Sequence, residues 1–283
     1  MFKRPGNSRR LNLRKTLFIL PNLVTLSAVF CGFDAIRLAA EANGGPPTER
    51  DDDFLRAAIL ICFSMVFDML DGRVARATKT QSAFGLQIDS LADVISFGVA
   101  PAVLVYEWTL QRFGTAGLIG SFLYVACAAV RLARFNVLSS GSDGKPTKPS
   151  AYFLGLPTPP AAGILVSIVV ANHALAGSIG RPEYAGIIFA ITVLLSFLMV
   201  SNVQFRTFKD LRPNVRGLLF IGFAIGSSAI VLTLAEMKPA FVLVWLLGLY
   251  VMMGIFETLW RLPGKIRERR SMAEVRAPSR PNE

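Results

Sequence analysis

The sequence predicts an all-α, polytopic membrane protein of about eight transmembrane helices. Three observations carry that prediction. Apolar runs of membrane-spanning length recur from one end of the chain to the other. Of the 283 residues, 53% are hydrophobic and only 17% charged, with a mean hydropathy of +0.49; a soluble domain of this size carries more charge. Basic residues gather at both tails and in alternate loops, the pattern that orients membrane proteins.

The elements follow in order. Residues 1–15 form a basic tail. A first helix is expected from about Thr16 to Ala40, with Pro21 and Asn22 in its first turns, where proline is tolerated. Asn22 and Thr25 share a face; they either satisfy backbone groups at the helix end or line a site. The acidic, turn-rich segment EANGGPPTERDDD reads as a loop. A second helix is expected from about Phe54 to Leu70, then a basic connection carrying Arg73, Arg76 and Lys79. A third spans about Leu86 to Leu110, and a fourth about Thr115 to Asn136. After a Gly, Ser, Pro and Lys-rich loop, a fifth starts within GLPTPPAAG and reaches about Ala176. The sixth covers about Tyr184 to Val203, the seventh about Gly217 to Ala235, and the eighth about Pro239 to Trp260. The basic tail 261–283 has few aromatics and is expected to be disordered. An even number of spans places both tails on one side, the cytoplasm by the charge rule.

The formal net charge of +11 fits a basic rim that attracts anionic headgroups. No basic nucleic-acid-binding motif accompanies it, which excludes nucleic acid as a partner. Cys31, Cys62 and Cys127 lie in apolar stretches without metal-ligand spacing and read as small buried hydrophobes. The single histidine, His173, falls near an outer helix end.

The stretch from Asp68 to Asp93 bears the chemistry. Asp68 and Asp71 are spaced i,i+3, and Asp89 and Asp93 i,i+4, so each pair shares a helix face. Carboxylates bordering an apolar helix require a cation, a partner or water. A short connection brings the two pairs to the same membrane side. Together they offer an oxygen-rich site suited to hard divalent ions. Gly72 and Gly85 place no side chain beside an incoming ligand. Spacing alone does not choose among the four acids for any one role.

The pattern Asp68-x2-Asp71-Gly72-x2-Ala75-Arg76-x8-Gly85-x3-Asp89-x3-Asp93 resembles the complete signature of the CDP-alcohol phosphatidyltransferases. That resemblance implies the fold of the family, a CDP-linked lipid as donor, and attack by an alcohol with release of CMP. It implies Asp68, Asp71 and Asp89 as metal ligands for Mg2+ or Mn2+, with two ions expected, and Asp93 as the general base that also touches metal. Gly72, Ala75, Arg76 and Gly85 would then hold the CDP-lipid; Arg76 could alternatively serve only as a topology anchor. DSLADVISFGVAPA, RLARFN, GLPTPPAA and SNVQFRTFK resemble one branch, the enzymes that transfer the phosphatidyl group of CDP-diacylglycerol to L-serine. A serine carboxylate suits an arginine fork, so Arg131, Arg134 and Lys209 are candidate serine contacts, against the alternative of interfacial snorkelling. Other acceptors remain open: choline, glycerol phosphate or inositol phosphate. A cation transporter is the rival from another class, but the paired broken helices of such folds are not found. The family favours homodimers, and Gly222-x3-Gly226 would serve either a dimer or an internal helix contact.

Overall fold

The computed structural model describes residues 13–78, 82–139, 152–175, 177–206, 227, 228, 233, 242 and 244–253. Its helices are α1 (Leu13–Glu41), α2 (Pro47–Thr78), α3 (Ala83–Asp93), α4 (Ala100–Trp108), α5 (Thr115–Ser139), α6 (Thr158–Ala174) and α7 (Pro182–Val200). A further helix, α8, covers Val244–Met253. A π-helical segment, Val94–Val99, joins α3 to α4 without a break.

Four of these rods are long and apolar enough to cross a membrane: Pro21–Glu41, Phe84–Trp108, Thr115–Leu138 and Pro182–Val200. The protein is an integral membrane protein. The expected seventh helix lies almost wholly outside the described residues, as do the final third of the eighth, Lys209, Gly222 and Gly226, and the C-terminal tail. The N-terminal boundary shifts, because α1 already includes Leu13–Lys15.

Helix α1 is the hub, packing on α2, α3, the π segment and α4. Its contact stripe is made of small residues, with Ala28, Ala35, Ala39 and Ala42 at 0–2% exposure. Small side chains let backbones approach closely where water supplies no driving force. A Cβ on Gly32 would stand 2.9 Å from Ser96 Oγ and 3.0 Å from Ser96 Cα, so α1 touches the π segment there. The Ala28 carbonyl accepts two hydroxyls, from Ser64 of α2 at 3.0 Å and from Ser96 at 3.1 Å. One backbone oxygen thus ties three elements together inside the apolar layer.

Helix α2 is longer than expected at both ends. Pro47 opens it and Glu49 sits in its first turn, a favourable start for a helix. The acidic loop therefore supplies part of a helix. At the other end Gly72 does not stop it: one glycine costs about 1 kcal/mol, and Leu70, Arg73, Ala75, Arg76 and Ala77 are good helix formers. Arg73 and Arg76 ride on the helix rather than on a loop. Pro21 likewise falls well inside α1, not in its opening turns.

Ser82 caps α3, its Oγ accepting from Gly85 N at 2.9 Å. The π segment that follows was not legible from periodicity. Pro101 near the start of α4 has no N–H to give the Phe97 carbonyl. The hydroxyl of Tyr124, which is fully buried, donates to that carbonyl at 3.3 Å instead. Ala100 N bonds Ile95 O, the wider π spacing.

Two short strands were also unexpected. β1 (Tyr152–Leu154) pairs antiparallel with β2 (Gln204–Arg206), with Phe153 opposite Phe205. The expected sixth helix stops earlier, at Val200, because the chain turns into β2. Gly155 has φ 79°, a left-handed conformation suited to glycine, and a Cβ there would meet the Met199 carbonyl at 2.1 Å. The turn is held by Gly155 N donating to Val203 O at 2.8 Å and Leu156 N to Leu198 O at 3.0 Å. This corner seats α6 against the end of α7 and directs Thr158 toward α5.

Tyr124→Phe strands the Phe97 carbonyl in an apolar setting. The expected loss is about 1–3 kcal/mol of stability, read as a lower Tm in detergent; an unchanged Tm would show that the carbonyl finds another donor.

Candidate active site

The two acid pairs converge. One carboxylate oxygen each from Asp68, Asp71 and Asp89 lies within 4.8 Å of the others. Asp68 and Asp71 come from one face of α2 and Asp89 from α3, and both helices pack on α1. Asp93, one turn beyond Asp89, lies beside Asp68. It completes a four-acid group rather than pointing elsewhere.

Asp71 is 5% exposed. Thr25 Oγ1 donates to Asp71 Oδ2 at 2.6 Å and also lies 3.1 Å from the Pro21 carbonyl. The sequence left Thr25 between a helix-end role and a site role; the structure gives it both, with the carboxylate closer. Among the described residues no lysine or arginine forms an ion pair with Asp68, Asp71 or Asp89. Three crowded, uncompensated carboxylates in a half-buried setting fit a divalent cation and repel one another without it.

Gly72 and Gly85 flank the acids. A Cβ on Gly72 would meet Arg76 NH1 at 3.6 Å, and one on Gly85 would meet Ser82 Oγ at 3.2 Å and Asn22 Oδ1 at 3.7 Å. Arg76 therefore folds back over Gly72, and Asn22 faces the α3 side of the site. Ala75 is half-buried and Arg76 exposed.

The candidate serine contacts separate. Arg131 is 8% exposed, lies close enough to Asp93 to attract it, and faces Tyr250 of α8. Its NH1 donates to Thr158 Oγ1 at 3.0 Å, while its Nε has no hydrogen-bond partner among the described residues. Arg134 is engaged elsewhere: NH1 donates to Val200 O at 3.2 Å and NH2 to Asn202 Oδ1 at 2.7 Å, closing the carboxyl end of α7. Lys209 lies outside the described residues.

Sequence reasoning missed Thr158, Tyr250 and the Ser90–Asn136 pair. Asn136 Nδ2 donates to Ser90 Oγ at 2.9 Å, joining α5 to the acid-bearing helix. A signal existed for two of them, since Thr158 sits in GLPTPPAA and Asn136 in RLARFN. His173 stands 3.7 Å from Asp52 at the opposite end of the helices, as expected. The three cysteines are free.

A membrane-embedded helical bundle with acids from two helices gathered at one end defines a protein with a candidate site for a hard divalent cation. The family model described as CDP-alcohol phosphatidyltransferase matches residues 18–201, and the chain belongs to that family. It is similar to a protein from Helicobacter pylori (strain ATCC 700392 / 26695) named CDP-diacylglycerol--serine O-phosphatidyltransferase, 36% identical over 86% of this chain and 92% of that one. A protein of the same name from Mycobacterium bovis is 30% identical over 97% of this chain and 86% of its own. The archaetidylserine synthase of Methanothermobacter thermautotrophicus is 35% identical over 67% and 71%. Family membership sets the transporter alternative aside.

Thr25→Val keeps the side-chain shape and removes the donor to Asp71. Residues that orient metal ligands typically carry about 10–100-fold in metal affinity; calorimetric titration with Mn2+ is expected to show a loss in that range, and unaltered affinity would remove Thr25 from the site.

Proposed function

We propose that this chain transfers the phosphatidyl group of CDP-diacylglycerol to the hydroxyl of L-serine, giving phosphatidylserine and CMP. The observation that carries the reading is the convergence of Asp68, Asp71 and Asp89 beside Asp93, with Arg131 within electrostatic reach of Asp93. The names of the relatives support serine as the acceptor.

In this reading Asp68, Asp71 and Asp89 hold Mg2+ or Mn2+, in two ions. When bound, such ions neutralise a diphosphate and stabilise charge on the departing CMP. The chain's own groups do the rest. Gly72, Ala75 and Gly85 leave the helix backbones open to the nucleotide, and Arg76, folded over Gly72, pairs with phosphate. Asp93 takes the proton from the serine hydroxyl as its oxygen attacks the lipid-linked phosphorus, a contribution of typically about 10²–10⁴-fold. Thr25 keeps Asp71 facing the cluster.

Arg131 recognises the serine carboxylate. Thr158 takes up only one nitrogen of its guanidinium, which leaves donors for a carboxylate ligand. Burial strengthens that contact, because little water competes. Arg134 acts mainly by fixing the end of α7, and so the corner that carries Thr158. The basic rim supports a cytoplasmic site with both tails on the same side, at the inner membrane of the cell. The enzyme is a homodimer in this reading, as its family favours.

The deciding assay offers purified protein CDP-diacylglycerol, Mn2+ and one alcohol at a time, and measures CMP. Release with serine is expected; release only with choline, glycerol phosphate or inositol phosphate would refute the acceptor assignment. Asp89→Asn and Asp93→Asn are each expected to abolish turnover while the protein stays folded, as judged by an unchanged elution volume and helical content. Substantial activity in either variant contradicts its role. Arg131→Ala is expected to raise the serine KM at least about tenfold, the scale of a lost charge-assisted hydrogen bond, with Mn2+ affinity intact. A serine KM that does not move removes Arg131 from the pocket.

A further inference from the structure

A second polar cavity lies at the other end of the bundle. It has a volume of about 280 Å³ and is formed where the start of α2, the end of α4, the turn after it, and the α6–α7 connection meet. Along α2, Arg50 and Asp71 are 21 positions apart, roughly 30 Å at about 1.5 Å per residue. The cavity therefore opens at the bilayer face opposite the acid cluster, and belongs to a different site.

Its chemistry is nearly all donors. Three guanidinium groups, from Arg50, Arg112 and Arg181, face a single carboxylate, Asp51. Among the described residues neither Arg112 nor Arg181 makes an ion pair or a side-chain hydrogen bond, and Arg50 spends one nitrogen on Asn43 Oδ1. Asp51 is likewise without an ion pair there, so the rim keeps a positive surplus.

Two buried donors line the wall. Asn172 is 3% exposed and Trp108 5%. Asn172 Oδ1 accepts from Gly180 N at 2.6 Å, which fixes the amide so that its Nδ2 is turned away from that bond. Neither Asn172 Nδ2 nor Trp108 Nε1 donates a hydrogen bond to any described residue. Both side chains line the cavity and neither nitrogen is sealed off from it, so both are free to donate into it. Gly180 completes the cradle: a Cβ there would lie 3.1 Å from Trp108 Nε1 and 3.5 Å from Asn172 Nδ2, inside the space the two donors share.

We infer that this cavity binds a phosphate group, held by the Arg112 and Arg181 guanidinium groups with Trp108 Nε1 and Asn172 Nδ2 beneath it. Phosphate oxygens accept several hydrogen bonds at once, and arginine forks match their geometry. Its position at the bilayer edge makes a phospholipid headgroup the natural source, with arginines near the surface adding about 1 kcal/mol each in attraction to anionic lipid. The site would anchor a lipid of the leaflet opposite the one where transfer occurs, and would not take part in the reaction.

The test counts lipid retained by the full-length protein in dodecyl maltoside, using native mass spectrometry with dioleoyl phosphatidylglycerol or, in a parallel arm, inorganic phosphate. Wild type is expected to retain the lipid, and the double variant Arg112→Gln/Arg181→Gln to retain it about tenfold less. Gly180→Ala, which fills the cradle without touching a charge, is expected to weaken retention in the same direction. Serine-dependent CMP release by both variants shows that they are folded. Retention of lipid but not of inorganic phosphate assigns the site to headgroups, and substitution-sensitive binding of both assigns it to the phosphate group whatever its source. Equal retention by wild type and both variants, or no binding of either probe, overturns the inference.

Discussion

Mutual repulsion among four carboxylates in a setting of low polarity is the constraint from which the rest of this structure follows. Isolated, such charges would be costly within an apolar bundle. Together they become a strong site for a hard cation, provided that their helices cannot drift apart. The structure meets that condition with backbone rather than with ion pairs. The Ala28 carbonyl accepts Ser64 and Ser96, so the helix bearing Asp68 and Asp71 and the rod bearing Asp89 and Asp93 are both hydrogen-bonded to α1 below the acids. Thr25, nearly one turn away on α1, then reaches Asp71 directly.

The same economy governs the acceptor side. Arg131 is a buried cation whose electrostatic partner is Asp93 and whose direct hydrogen-bond partner is Thr158. Thr158 opens α6 just after the Gly155 turn, which is bonded to Leu198 and Val203. Arg134, three residues along α5 from Arg131, bonds the other side of that corner. Two arginines of one helix thus divide the labour. One faces the reacting groups, and the other holds the backbone that orients its neighbour.

Much of this was legible in the sequence because it rests on local spacing. Asp68, Asp71, Asp89 and Asp93 could be paired from helix geometry, and a short connection forces the pairs to one side of the bilayer. The membrane class followed from the apolar runs. What could not be read depends on partners distant in sequence. Tyr124 reaching the carbonyl that Pro101 leaves free, Ser90 meeting Asn136, and Thr158 meeting Arg131 are set by packing, which periodicity does not encode. Helix ends were misjudged where weak stops were taken as strong ones: Gly72 inside α2, and Pro47 opening it rather than lying in a loop. The β1–β2 pair was hidden for a related reason, since three residues per strand carry too little alternation to show a pattern.

The π segment that follows Asp93 has one more consequence. A π turn accommodates a surplus residue without breaking the rod, so the residue periodicity before it is out of step with that after it. Each residue corresponds to about 100° of rotation. The wider turn absorbs one residue, so excising a single position between Val94 and Val99 would restore regular winding with both flanks facing as before, whereas excising one from the regular winding of α3 between Asp89 and Asp93 would turn Asp89 by about 100° relative to the buried face of α4. The irregular winding thus takes up the surplus residue within the chain, letting one rod satisfy an oily neighbour at one end and a polar cluster at the other.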